Sequence, residues 1–587
     1  MLLPIKSARE FRKIVTYDFE WVPLEMRFRV GSTYDGEQLR TYYSIPDFVN
    51  GELTHRNRGK WFFAHAGGLA DIQFLLNHLK SVGFRVSGTF SGSSLIIARI
   101  SKGKNTWLFL DSYWLLRAKL RDIAKWIGEE KGGGGYEDDE EDFALSEIEF
   151  QEKQQRKREW YATVPLAQLT EYNQNDCIIL HKAITQLEET LWELGGQLQV
   201  TLASCAMQLF RRAYLSQAVE TNARINRLCR FAYIGSRVEV FRRDLTEGHY
   251  YDINSSFPYA MLEPAPGHYT HASRRIPNNP FFIAHCRINV PECYLPPLPL
   301  RDDKTGRIFF PTGQWKQWFT GIDLQFLEEC GGQILDVETV LHFAPFNDLS
   351  AYANDLYNRR KNTSDKWEKI AFKLLLNSLY GKFAERSRKQ QMHVNHPSPN
   401  RDNPDWSIRM PGVWLEAREA KVPHVHVPIS AHITAIARRN LTNYLRNSIS
   451  RGGKIYYSDT DGFATNVPHA VSPALGGLKL EQTISRGRYV APKVYDQEGI
   501  DGETGKPIRK IKAKGFSRMN AERFMRLLEG NSISYERMRR VREGIRDGDM
   551  SPKEMTVEKR LRNEIPKRAP DGDDTRPWTV EEIAAMD

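Results

Sequence analysis

Cysteine is scarce in this sequence and never paired. The six cysteines among 587 residues (Cys177, Cys205, Cys229, Cys286, Cys293, Cys330) make no CxxC and no Cys/His cluster at zinc spacing, which excludes a zinc ribbon and reads as scattered reduced thiols in a cytoplasmic protein. No uncharged apolar run reaches the roughly 18 residues that a bilayer-spanning helix needs. The opening MLLPIKSAREFRK has no apolar core of a signal peptide, so neither secretion nor membrane insertion is expected. Internal repeats are missing too. What is plentiful is positive charge: the net charge of +10 suggests a polyanionic partner, although a solvated basic surface is the commoner cause of such a balance. Hydrophobic residues at 41% and charged residues at 27% are ordinary for globular chains, and the length predicts several domains.

Strand-like and helical patterns alternate over residues 1–196, from KIVTYDFEW through WLFLDSYWLL to a helix around Leu169 to Leu194, which predicts an α/β domain. Inside it, GEEKGGGGYEDDEEDF and the charged EKQQRKREW predict a mobile, solvated insertion over 128–159. A helix-rich connector is expected within 197–258. Strands and a proline-rich stretch fill 259–345, a helix pair 346–385, and further segments 386–427 and 428–519. The end, 520–587, is basic and reads as helical in ERFMRLLEG and YERMRRVREGIRDG, closing in a short acidic helix capped by Thr579. The fold class expected is α+β, multi-domain.

Two groups of acids stand out. In KIVTYDFEW, strand alternation puts Val15, Tyr17, Phe19 and Trp21 on one face and Thr16, Asp18 and Glu20 on the other. Adjacent carboxylates repel unless a cation neutralises them, and hard divalent ions with oxygen ligands do so. Downstream, Asp71 opens the apolar helix of HAGGLADIQFLL, and Tyr172 and Asp176 share a helix face in EYNQNDCIILHKAI. The second group is split between YYDINSSFPYAM and KIYYSDTDGFAT, each ending an aromatic, β-rich run in Asp. Between them, KIAFKLLLNSLYGKFAE places Lys369, Lys373 and Asn377 on one helix face with Tyr380 nearby, and Ile370, Leu374 and Leu375 inward. A cationic stripe on such a helix suits a triphosphate.

The first set resembles the three motifs of the DEDDy group of 3′→5′ exonucleases, on a ribonuclease H-like α/β domain. That resemblance implies Asp18, Glu20, Asp71 and Asp176 as ligands of two Mg²⁺ ions, with Mn²⁺ as a substitute, and Tyr172 as the residue that positions the attacking water. The pair His65-Ala66 departs from the group's His-Asn, leaving His65 as the DNA contact of that motif. DINSSFP, KLLLNSLYG and YSDTDG resemble motifs A, B and C of family B DNA polymerases, which implies a right-hand body of palm, fingers and thumb. By that resemblance Asp252 and Asp461 hold two further Mg²⁺ ions and Asp459 supports them. Lys373, helped by Lys369, neutralises the triphosphate; Asn377 and Tyr380 line the nascent base pair. Phe257 stands where the family has a tyrosine that excludes a 2′-hydroxyl.

Further elements resemble the family's DNA contacts. AYIGSR, with Tyr233, Gly235 and Arg237, resembles its YxGG element with Ser236 in place of the second glycine, and APKVYD, with Lys493 and Tyr495, resembles its KxY. In extended strands Lys493 and Tyr495 would share one face, as would Lys512 and Lys514, a placement suited to phosphates. The compact length resembles the protein-primed branch of phages and linear plasmids. In that branch 259–345 and 386–427 correspond in position to insertions that bind terminal protein and give strand displacement, 346–385 to the fingers, 428–519 to the palm and 520–587 to the thumb and tail. Expected partners are primer-template DNA, deoxynucleoside triphosphates and a terminal protein, met by a monomer in the cytoplasm of the host. Oligonucleotide-primed or primer-independent synthesis is the alternative within the class. An exonuclease or a DNA-binding scaffold with an inactive polymerase body is the alternative outside it, and both predict eroded metal ligands.

Overall fold

The run around Asp18 forms the strand Ile14–Val22 in the computed structural model, which describes residues 1–132, 145–397, 405–420, 422–516, 519–561 and 565–586. Trp61–Ala64 lies parallel to it, and Asn105–Asp111 parallel to Trp61–Ala64; Arg27–Tyr34 pairs antiparallel on the other side. Tyr17 and Phe19 point into an aromatic cluster with Phe48, Phe109 and Phe74. The opposite face is not solvated, because the helix Leu166–Glu193 covers it and buries Leu180, Ala183, Ile184 and Leu187. Thr16 on that face satisfies its hydroxyl by donating to the Cys177 carbonyl at 2.7 Å, as a buried polar group must.

The sheet is wider than residues 1–196 can make. Its ten strands run in the order Trp406–Met410, Val413–Glu419, Arg388–Val394, Arg85–Ser91, Ser94–Lys102, Asn105–Asp111, Trp61–Ala64, Ile14–Val22, Arg27–Tyr34, Leu39–Tyr42. Segment 386–427 therefore supplies three strands, joined through Gln390–Val394 against Val86–Phe90. Met392 and Val394 enter the same core as Val86 and Ile100, and so do Val541, Ile545 and Met550 from the C-terminal part.

The composition-based reading of 128–159 needs correction where the structure describes it. Residues 133–144 lie outside the described residues, but Glu147–Thr163 is a helix, closed at its start by a reciprocal capping box between Ser146 and Glu149. Its start is tied down: Arg523 makes a 2.7 Å ion pair with Glu147 and lies over the Phe150 ring at 4.4 Å.

The second body is an eight-stranded antiparallel sheet. Pro507–Ala513, Val494–Asp501, Leu478–Ala491, Gly248–Ile253, Gly462–Thr465, Ile455–Asp459 and Val238–Val240 lie in that order, and Asp244–Leu245 pairs with Leu478–Ala491. The helix Val427–Ser450, buried along most of its length, backs it. Segment 259–345 forms most of a separate four-stranded sheet, Ala265–Ser273, Gln333–Phe346, Phe282–Val290 and Gly313–Thr320, with the helix Gly321–Glu329. The helices Asp348–Asn362 and Lys366–Ser378 pack against Leu202–Leu209 and Leu166–Glu193 in one apolar cluster.

At the C-terminus the helical reading of YERM fails. Ile533–Met538 is a strand paired with Glu554–Lys559, because β-pairing overrides local propensity; helices form at Ala521–Leu528 and Val541–Asp547. The acidic helix Val580–Ala584 is present, with Thr579 in a capping box. The last residues return to the four-stranded sheet: Thr312 bridges Thr579, and the buried Arg568 donates to the Tyr294 carbonyl at 3.0 Å.

Candidate active sites

The first site sits where the helix Leu166–Glu193 crosses the strand Ile14–Val22. Carboxylate oxygens of Asp18, Glu20 and Asp176 lie within 4.8 Å of one another. Asp71 stands beside them at the start of the helix Asp71–Ser81, its Oδ1 accepting the Phe19 N–H at 3.0 Å. The loop before it is tight: a Cβ on Gly68 would lie 1.9 Å from the Leu95 carbonyl and 2.9 Å from Asp111 Oδ2. Ala66 in that loop has φ +59°, a conformation that asparagine tolerates better than alanine.

Burial dominates the electrostatics. It pushes Asp18 well above the usual carboxylate range, with Glu20, Asp71 and Asp176 adding repulsion. Burial, then Asp176, raises Glu20 to about 8, and burial raises Asp71 to about 7. Four acids held together against this penalty make a donor set for hard divalent cations.

Tyr172 lies at the same pocket, where its hydroxyl accepts from Lys131 Nζ at 2.7 Å, and Lys131 also pairs with Asp176 at 3.2 Å. Lys131 was invisible in the sequence, set in a glycine-rich stretch with no motif spacing. Asn173 is a second residue missed; it donates to Asp18 Oδ2 at 2.7 Å. Asp111 is a third, a buried acid near Asp71 with its carboxyl pushed up to about 6 chiefly by burial. His65 is turned away from the role expected of it, since its ring nitrogens engage Ser112 Oγ at 3.1 Å and the Ala118 carbonyl at 2.8 Å.

The second site joins the motifs that are far apart in sequence. Asp252 pairs with Gly462 on the neighbouring strand, and the Ile253 N–H donates to the Asp461 carbonyl at 2.9 Å. A Cβ at Gly462 would lie 2.6 Å from the Tyr250 hydroxyl, so a larger residue there would displace that ring. Burial and then Asp461 raise Asp252 to about 7, while burial and then Asp459 raise Asp461 to about 6. Lys373 acts on Asp252 in the opposite direction. Asp459 instead pairs with Lys493 Nζ at 2.9 Å, and the tight three-oxygen cluster of the first site has no counterpart here among the described residues.

Around this centre Lys369, Lys373 and Asn377 form an exposed stripe on the helix Lys366–Ser378. Trp367, Ala371, Phe372, Leu375 and Leu376 are the buried side, with Ile370 and Leu374 only half-buried. Phe257 and Tyr380 stack face to face, centroids 4.1 Å apart. Glu481 and Lys479, not singled out in the sequence, also act on Asp252.

Several expected DNA contacts lie elsewhere. Arg237 is fully buried and paired with Glu239 at 2.5 Å, so it carries structure rather than phosphate. Tyr495 is buried against Tyr457 and Tyr489. Lys493 does not share its strand face: it lies in the connection between two strands at φ +62°. Lys512, Lys514 and Gly235 are exposed and Tyr233 half-buried. A contact residue and a core residue look alike in a short motif, because burial is set by distant segments.

The family model for DNA polymerase type B, organellar and viral, matches residues 53–400. The chain belongs to the organellar and viral type B DNA polymerases. Its family relatives include a protein of Podospora anserina named "Probable DNA polymerase", 26% identical over 509 residues, with 74% of this chain and 42% of that one covered. The DNA-directed DNA polymerase of Enterobacteria phage PRD1 is 24% identical over 539 residues, 84% of each chain. The chain thus spans less than half of the length of some curated family members and most of others. Phi29 DNA polymerase, solved with primer-template DNA and incoming nucleotide, shares the fold with a TM-score of 0.72 and 18% identity, over 94% of this chain and 100% of that one. The expected α+β, multi-domain architecture is the one observed, and no helix among the described residues is long and apolar enough to cross a membrane.

Proposed function

We propose that this type B polymerase adds deoxynucleotides to a DNA primer 3′-hydroxyl at the second site and removes mispaired 3′ ends at the first. The observation that carries the reading is the meeting of Asp252 and Asp461 on adjacent backbone, joined by the Ile253–Asp461 hydrogen bond of 2.9 Å, with Lys373 acting on the same pocket. Two divalent ions per site, Mg²⁺ with Mn²⁺ able to replace it, supply charge that acidifies the attacking hydroxyl or water and stabilises the leaving oxygen. The acids fit that cargo, being raised by burial and mutual repulsion at both sites.

The protein's own groups do the rest. Asp252 and Asp461 orient the primer end, and Asp459 braces the turn. Lys373 and Lys369 take the triphosphate charge from the exposed helix stripe, where a cation is worth most as charge develops on the leaving group. Asn377 and Tyr380 receive the base pair, and the Phe257–Tyr380 stack forms the wall that a 2′-hydroxyl would strike. At the first site Tyr172, held by Lys131, orients the attacking water. Tyr233, Gly235, Lys512 and Lys514 line the duplex path, and Lys493 is kept at Asp459. The phi29 structure that shares this fold holds primer-template DNA and nucleotide, the same substrates proposed here.

Primer extension separates the two activities. Asp461→Asn abolishes extension and leaves single-strand degradation; Asp18→Ala does the reverse. Degradation without extension in the unaltered chain would favour a nuclease with an inert second site.

A second reading concerns the start of synthesis. Residues 259–345 build most of a sheet of their own and 386–427 extend the first sheet, so each is a folded addition where the protein-primed branch carries insertions. On that reading a monomer in the host cytoplasm primes from a hydroxyl on a separate terminal protein and displaces the strand ahead. Labelled dATP offered with a candidate terminal protein and no oligonucleotide gives a covalent protein–nucleotide adduct if this holds, and none with any plausible partner if it does not.

A further inference from the structure

The turn that carries Asp459 and Asp461 is strained. Thr460 between them has φ +69°, and the Asp461 N–H donates across it to the Asp459 carbonyl at 2.8 Å. A three-residue ring closed over a residue of positive φ is the rare form of the γ-turn, and a β-branched residue there is a backbone outlier. Such a conformation persists only where its surroundings over-determine it.

Those surroundings are the segment Ile234 to Arg237. The Thr460 N–H donates to the Arg237 carbonyl at 2.9 Å, and the Ser236 hydroxyl donates to the Thr460 carbonyl at 2.6 Å. Both polar backbone groups of the strained residue are thereby tied to one short segment. That segment is itself anchored from behind by two buried arginines. Arg237 reaches Glu239 and the Pro296 carbonyl and lies over the Phe310 ring at 3.8 Å. Arg438 donates to the Ile234 carbonyl and, at 2.8 Å, to Asp323.

We propose that Ser236 is a positioning residue for nucleotide addition: its hydroxyl clamps the Thr460 carbonyl and so fixes the turn that aims Asp461 at Asp252. The element it resembles carries glycine at this place, which has no hydroxyl to offer, so the clamp belongs to this chain's own sequence. The inference rests on the polymerase reading of the second site. It differs from a contact to template, because the Ser236 hydroxyl is spent on the protein.

The test uses the full chain with Ser236→Ala and Ser236→Thr. Misplacement of reacting groups by a fraction of an ångström lowers kcat more than affinity, so Ser236→Ala is expected to lower kcat for extension about tenfold while KM for the nucleotide stays within about twofold. Ser236→Thr, which keeps the hydroxyl, restores kcat. Single-strand degradation is unchanged in both. Two readouts do not depend on activity: amide exchange at Thr460 speeds up in Ser236→Ala, and Mn²⁺ binding to the second site, followed calorimetrically in an Asp18→Ala background, weakens several-fold. Wild-type kcat together with wild-type exchange at Thr460 in Ser236→Ala overturns the proposal. So does a loss confined to KM, or a folded Ser236→Thr that fails to restore kcat. If the unaltered chain does not extend a primer, the polymerase reading fails; the exchange and Mn²⁺ measurements then still decide the clamp.

Discussion

At the scale of single residues, Lys131 gives the sharpest expectation. It holds Tyr172 at 2.7 Å and Asp176 at 3.2 Å, so Lys131→Ala should slow single-strand degradation about 10–100-fold and leave primer extension intact, as rates on a labelled oligonucleotide with and without nucleotides will show. The carboxylates yield a second expectation. Glu20 at about 8, Asp71 at about 7 and Asp252 at about 7 all lie above the roughly 4 of an unfolded chain. The folded protein therefore holds more protons than the unfolded one between those values, and its stability falls as pH rises through that window. With chelator present the melting temperature should be lower at pH 8 than at pH 6, and excess Mg²⁺ should raise it more at pH 8; an equal gain at both values would count against cation binding by these acids. The pairs Asp18/Glu20 and Asp459/Asp461 stand out in the sequence because two acids one residue apart beside aromatic strands leave a period-two signature, whereas Asp252 is marked only by ending an aromatic run. His65, Arg237 and Tyr495 were misread because their motifs are short and the neighbours that bury them, such as Ala118, Phe310 and Tyr457, come from other parts of the chain.

Among the elements, the helix Glu147–Thr163 shows why composition alone misled. It buries a single residue, Phe150, and so carries no apolar stripe that periodicity could detect; it is held by its capping box, by Arg523, by Arg29 on the Tyr161 carbonyl and by Trp160 against Tyr172. The Arg523 ion pair, followed by burial acting in the opposite direction, sets the Glu147 carboxyl at about 2. Because this folded value lies below the unfolded one near 4.5, the stabilisation is present above about pH 4.5 and disappears as pH falls toward 2. The difference in melting temperature between the protein and a Glu147→Gln variant should thus be clear at pH 6 and shrink by pH 3. A difference that does not change with pH would mean the charge is not what joins these segments. The helix Lys366–Ser378, by contrast, was legible almost residue by residue, since one face is core and the other is lysine and asparagine. Its inward face was displaced slightly from the reading, to Phe372 and Leu376 from Ile370 and Leu374.

Over the whole molecule, the sequence anticipated an α+β chain of several parts. What it could not give was how those parts share cores. Strand pairing between residues three hundred positions apart, such as Gln391 with Thr89, leaves no local trace, and neither does the return of Arg568 to Tyr294. That shared sheet has a practical consequence. The part that holds the first acidic site is not a detachable cassette, because cutting the gene near codon 196 would strip Arg85–Ser91 of its outer neighbour and leave a bare strand edge, a template for aggregation. Such a fragment should be recovered mostly as insoluble protein, and appending residues 386–427 through a linker should bring it into solution. The part that carries the first acidic site is thus woven together with residues from far down the chain into a single fabric, and it cannot be lifted out whole by one cut.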